Sequence, residues 1–110
     1  MDDDEPVRLV VRHLLTSAGY DVETAGSEQE AIGLLEERQC DVVLLDRSIR
    51  GRQPLDLVRT LRRASPRSKI LYFTGQPVGA DELAAVDGLL QKPLSQAELT
   101  RAIERCRGNT

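Results

Sequence analysis

The stretch that decides the fold is "DVVLLD" (residues 41–46), four aliphatic residues held between two aspartates. Successive side chains of a strand point to opposite faces, so a strand with one wet face alternates apolar and polar residues. This run does not alternate. It reads as a strand covered on both sides, as in a parallel sheet sandwiched between helices. A second run of the same kind, "KILYFTG" (69–75), lies further along. A brief third, "LLQ" (89–91), closes on Lys92-Pro93.

The segments between these runs carry helical patterns. Val7, Val10, Val11, Leu14, Leu15 and Ala18 share one helical face, with Pro6 suited to the first turn and Gly19 to the end. Ser27 with Glu30, and Ser95 with Glu98, have capping-box spacing and open two further helices. The second of these places Leu99, Ala102, Ile103 and Cys106 on one face. Leu55, Val58 and Leu61 give another helical face, and 76–88 holds at most a short helix. "YDVETA" (20–25) alternates like a short strand. From residue 20 onward strands and helices alternate, which predicts an α/β fold with parallel strands, right-handed crossovers and helices on both faces.

The bulk numbers narrow the class. At 110 residues the chain is one domain, able to bury a core without disulfides or a structural metal. With 40% apolar and 30% charged residues it has ordinary globular composition. It has no bilayer-length apolar run and no signal-peptide pattern, so a cytoplasmic protein is expected. The net charge of −3, with basic residues spread throughout, predicts no nucleic-acid-binding face. Arg47, Arg50 and Arg52 read as a solvated basic loop. Cys40 and Cys106 lack metal-site spacing and read as core or near-core residues; His13 reads as helix surface.

Sites in such sheets form at the carboxyl ends of the strands. Those ends carry Asp46, Thr74 and Lys92. The acids of "MDDDEPVR" (1–8) belong there as well if a strand precedes them. Crowded carboxylates repel unless a cation intervenes, and oxygen-only ligands suit a hard ion such as Mg²⁺. Beside such an ion, Asp46 reads as a nucleophile toward a phosphoryl group. Lys92 as a point charge and Thr74 as a hydroxyl donor would hold the phosphoryl oxygens. Asp4 reads as a helix N-terminal acid facing the macrodipole.

These motifs, in this order and at this spacing, resemble the receiver domains of two-component response regulators, over Asp2 to Arg107. The resemblance implies a flavodoxin-like fold and phosphoryl transfer onto Asp46 from a histidine kinase or a histidine phosphotransfer protein. It implies Mg²⁺ held by Asp3 and Asp46, with Asp2 acting through water and the Ser48 backbone carbonyl completing the shell. Thr74 and Lys92 would bind the phosphorylated state, and Lys92-Pro93 would be a cis bond. No membrane partner is implied, and a homodimer is compatible with the pattern. The chain would be a signalling switch or relay, not an enzyme beyond its own phosphotransfer and autodephosphorylation.

The sequence departs from the pattern in four places. Receivers begin with a central apolar strand of about five residues, and here Met1 stands where its last residue would be. Such a strand is worth on the order of 10 kcal/mol, comparable with a whole domain's stability. The expectation is a chain that starts late, or one whose strand another chain supplies. The slots three, four and eight residues after the acceptor hold Ile49, Arg50 and Pro54 instead of methionine, proline and glycine. Leu89 stands in the aromatic-switch slot. No output domain follows Arg107, which looks more like receivers of hybrid histidine kinases, or stand-alone relays, than like transcription factors. Two other readings stay open: a degenerate receiver serving as an unphosphorylated interaction module, and a phosphohydrolase using Asp2 and Asp4.

Overall fold

The two long apolar runs become neighbouring strands. β1 (Val42–Asp46) and β2 (Lys69–Thr74) pair in parallel, with Leu44 opposite Leu71 and Asp46 opposite Phe73. β3 (Gly88–Gln91) pairs in parallel with the other side of β2, which sets Thr74 opposite Gln91. The order across the sheet is β1-β2-β3. The computed structural model describes residues 1–47, 53–75, 77–91 and 95–107.

Five helices among the described residues cover this sheet: α1 (Glu5–Ser17), α2 (Glu28–Glu37), α3 (Pro54–Ala64), α4 (Ala80–Ala85) and α5 (Gln96–Cys106). The strict alternation of strand side chains divides the core in two. Val43, Leu45, Ile70 and Tyr72 pack with Ala31 of α2 and with Leu57, Val58 and Leu61 of α3. Leu71, Phe73 and Leu90 face the other way, onto Leu15 of α1 and Leu99 and Ile103 of α5. Cys40 and Cys106 are half-buried beside these clusters, as expected for near-core residues. No helix among the described residues is long and apolar enough to cross a membrane.

Both capping boxes form. Ser27 Oγ accepts the Glu30 amide and Ser95 Oγ the Glu98 amide, each at 3.2 Å. The end of α1 also follows its sequence signal. Gly19 has φ of +95°, which glycine adopts without a Cβ penalty, and lets the Tyr20 amide return to the Leu15 carbonyl at 3.0 Å.

Three expectations need correction. Val10 is 58% exposed, because α1 turns Leu15, Val11 and Val7 inward and leaves Val10 at the edge of that stripe. On α3 the buried partner of Val58 and Leu61 is Leu57, while Leu55 is only half-covered. Residues 20–25 do not form a strand. Alternation makes a segment fit for a sheet, but a ladder needs a hydrogen-bonded neighbour. The lane between 20–25 and β1 is reached by Met1 and Asp2. Met1 donates its amino N–H to the Leu44 carbonyl and accepts the Asp46 amide at 2.9 Å; Asp2 donates its amide to the Ala25 carbonyl at 3.1 Å. The sheet has three strands among the described residues.

Candidate functional site

The carboxyl ends of β1 and β2 lie side by side, so the register that pairs Asp46 with Phe73 sets Thr74 one step beyond. Asp46 and Thr74 are both buried, at 4% and 2% exposure, although such polar side chains are mostly exposed. The chain start comes to the same place. Hydrogen bonding of the Met1 carbonyl to the Asp46 amide puts Asp2 immediately past the strand end, where it is 2% exposed.

Asp2 is held from several directions. Its Oδ1 accepts the Asp4 amide at 2.9 Å, at the N-terminal edge of α1. Its carbonyl accepts from Arg8 Nη1 at 2.7 Å, and its amide is tied to Ala25. Asp4 itself makes no side-chain cap to α1, so it contributes at most its charge to the helix end. Gly26 makes room for this arrangement, since a Cβ there would stand 2.7 Å from Arg8 Nη1. The Met1 amino group lies beside the same acids. Burial pushes it down to about 6, against the upward pull of Asp2 and Asp46.

Asp2, Asp3 and Asp46 each offer a carboxylate oxygen, and these oxygens lie within 4.8 Å of one another. Two of the three residues are buried, so water screens their mutual repulsion poorly. A hard divalent cation on this all-oxygen set relieves that repulsion, and the donor set fits Mg²⁺, which takes few carboxylates and keeps waters. The structure brings these three residues together, with Thr74 on the adjoining strand end. Ser48, Lys92 and the Lys92-Pro93 bond lie outside the described residues, as do Ile49, Arg50 and Arg52 of the unusual loop.

Sequence reasoning missed two features. Arg8 was given no role, although its place six after Asp2 lets it reach back over the helix start. Arg47 was read as solvated surface, yet it pairs in bidentate fashion with Glu82 of α4, Nε to Oε2 at 2.7 Å and Nη2 to Oε1 at 2.9 Å. Glu82 in turn bears on Tyr72. Burial, and then the Glu82 charge, push the Tyr72 phenol up to about 12, with Arg47 opposing. The Tyr72 hydroxyl is buried and has no hydrogen-bond partner among the described residues. No local motif announces a contact between residues 47 and 82.

Comparison with known proteins agrees with this geometry. The family model for the response regulator receiver domain matches residues 1–104. The chain is similar to the chemotaxis protein CheY4 of Vibrio cholerae, at 28% identity and a TM-score of 0.87, over 96% of this chain and 92% of that one. It is similar to a response regulator of Thermotoga maritima, at 25% identity and a TM-score of 0.84, over 98% and 93%. A Burkholderia pseudomallei response regulator, solved with a phosphorylated aspartic acid, a calcium ion and citrate, shares the fold at 24% identity. Its TM-score is 0.83, over 98% of this chain and 66% of that one.

Proposed function

The chain belongs to the response regulator receiver domain family, and from that premise we propose that Asp46 accepts a phosphoryl group from a histidine kinase or histidine phosphotransfer protein, in a Mg²⁺-dependent reaction. The observation that carries this reading is the convergence of the Asp2, Asp3 and Asp46 carboxylate oxygens within 4.8 Å at the end of β1. A relative of the same fold carries a phosphorylated aspartate together with a divalent ion.

Asp46 is the carboxylate placed to attack, because it closes the strand and is fixed by its own amide on Met1. Its oxygen forms a bond to phosphorus as the donor's imidazole nitrogen–phosphorus bond breaks, and the freed imidazole takes up a proton. Asp3 would be the other carboxylate ligand of the ion, with Asp2 acting through water, and the Ser48 carbonyl is proposed as a further ligand. When bound, the ion offsets the negative charge of the carboxylates and the incoming phosphoryl oxygens. Thr74, at the neighbouring strand end, is proposed to donate its hydroxyl to the phosphoryl group. Lys92, next after the Gln91 that pairs with Thr74, is proposed to supply the positive charge.

The test is mass-spectrometric detection of an acyl phosphate after incubation with acetyl phosphate and Mg²⁺. A mass increase on wild type, absent from Asp46→Asn and absent with chelator, is the expected result. Wild type that stays unlabelled while folded and Mg²⁺-bound would overturn the proposal, in favour of an unphosphorylated interaction module.

A further inference from the structure

Arg47 stands next to a cluster of acids and yet turns away from it. It follows Asp46 directly, and adjacent Cα atoms are only about 3.8 Å apart. A rotation about its own side-chain bonds would bring its guanidinium back onto the Asp2, Asp3 and Asp46 carboxylates, whose oxygens lie within 4.8 Å of one another. Two of these acids are buried, so water screens their pull on a cation poorly. Arginine is also the cationic side chain whose planar fork matches a carboxylate best. The guanidinium nevertheless lies on Glu82 of α4, with both oxygens of that carboxylate engaged.

Several features favour this choice. Val43 and Leu45 of β1 face α2 and α3, and Arg47, two residues further on, has the same strand parity. Ala85 of α4 packs against that same cluster, so Glu82 is carried on the side to which Arg47 points. The far end of α4 is tied to α3, where Arg62 Nη2 donates to the Ala85 carbonyl at 3.1 Å. The Tyr72 hydroxyl, on which the Glu82 charge bears, has no hydrogen-bond partner among the described residues and so does not divert that carboxylate. Glu82 is thus placed in advance to receive a fork.

We propose, on the premise that Mg²⁺ binds at Asp46, that Glu82 is a positioning residue for that ion: its fork with Arg47 keeps the chain's own arginine off the carboxylates. A guanidinium on those acids would offset their charge and cover the oxygens that the ion needs, so arginine and ion exclude one another. Glu82 decides between them without touching the ion or the phosphoryl group. A lysine at position 47 would be held less firmly, because its ammonium is a point charge on a flexible stem and makes no fork.

The test is titration calorimetry of Mg²⁺ into the full chain and four variants, with no phosphodonor present. Glu82→Gln leaves Arg47 without its ionic partner and should bind Mg²⁺ at least about tenfold more weakly than wild type. Arg47→Met should bind at least as tightly as wild type, and Arg47→Lys at least roughly threefold more weakly than Arg47→Met. The double variant Arg47→Met/Glu82→Gln should recover the wild-type affinity to within about threefold. It lacks the clamp as fully as Glu82→Gln does, so a merely structural role for the pair predicts no recovery. The comparison of Arg47→Met with Arg47→Lys keeps Glu82, and it decides even where Glu82→Gln does not fold. Glu82→Gln binding as wild type does, a double variant as weak as Glu82→Gln, or Arg47→Met no tighter than Arg47→Lys would each overturn this proposal alone. Wild type that binds no Mg²⁺ would overturn the reading of the metal site and this proposal with it.

Discussion

Arg47, the residue after Asp46, grips Glu82 of α4 through two parallel hydrogen bonds at 2.7 and 2.9 Å. The side chains are 29% and 16% exposed, so the pair is neither a surface ion pair nor a fully buried one. It links the end of β1 directly to the short helix α4, which has no buried residue of its own. Removing one partner strands the other in a partly desolvated place. Glu82→Ala is expected to destabilise by about 1–3 kcal/mol. Urea denaturation of the two single variants and the double variant checks this. The double variant should lose less than the sum of the singles, and strict additivity would show that the pair contributes nothing.

The carboxylate cluster predicts a stability change of opposite sign. With charges within about 5 Å, repulsion at an effective dielectric near 20 is on the order of 3 kcal/mol per ionised pair at most. In chelator, Asp46→Asn should therefore be more stable than wild type by roughly 1–2 kcal/mol. Adding Mg²⁺ should raise the wild-type melting temperature and reverse or erase that gap, as an ion that binds only the folded wild type would. Equal stabilisation of both proteins by Mg²⁺ would show that Asp46 is not a ligand.

Asp87 supplies the pH dependence. It precedes β3, where its Oδ2 accepts the Ile70 amide at 2.8 Å and Arg62 Nη2 at 2.9 Å. Burial pulls its carboxyl upward, but the Ile70 amide and Arg62 outweigh this and hold it below the ordinary value. A folded-state value below the unfolded one means that the stabilisation is complete above the ordinary carboxylate range. It is lost as pH falls from about 4 through the lower folded value. Asp87→Asn should cost about 1–2 kcal/mol at pH 7. The gap to wild type should narrow below about pH 4, and a gap independent of pH between 7 and 2.5 would refute the assignment.

Much of this architecture was legible because it is local. The unbroken apolar runs of β1 and β2 needed burial on both faces, and the Ser27–Glu30 and Ser95–Glu98 boxes close within one turn. Asp46, Thr74, Asp2 and Asp3 were legible because topology alone sends strand ends to one edge. Residues 20–25 misled because alternation records what a segment could pair with, not whether a neighbour is present. Val10 and Leu55 misled for a related reason. Spacing defines an apolar stripe, but the neighbouring element decides which margin of it is covered. The Arg47–Glu82 pair was illegible, since it joins a strand end to a helix through tertiary packing with no sequence periodicity between them.

Through a backbone contact, Arg8 would tune the proposed metal site. Its Nη1 donates to the Asp2 carbonyl at 2.7 Å and so helps to fix the carboxylate that begins the cluster. Outer partners that orient a ligand commonly change metal affinity by about 10–100-fold when lost. Arg8→Met mixes two opposing effects, since it frees Asp2 but also removes a cation near the incoming Mg²⁺. Gly26→Ala separates them. The added Cβ would lie 2.7 Å from Nη1 and 3.0 Å from Cζ, so the guanidinium must shift while its charge stays. That shift is cheap for the fold because the end of a long side chain moves and the backbone need not. Titration calorimetry with Mg²⁺ should show Gly26→Ala binding roughly tenfold more weakly than wild type. The loss for Arg8→Met should be smaller, because the vanished positive charge offsets part of it. If Gly26→Ala binds Mg²⁺ as wild type does, Asp2 is held well enough by Asp4 and Ala25 and Arg8 has no part in the site.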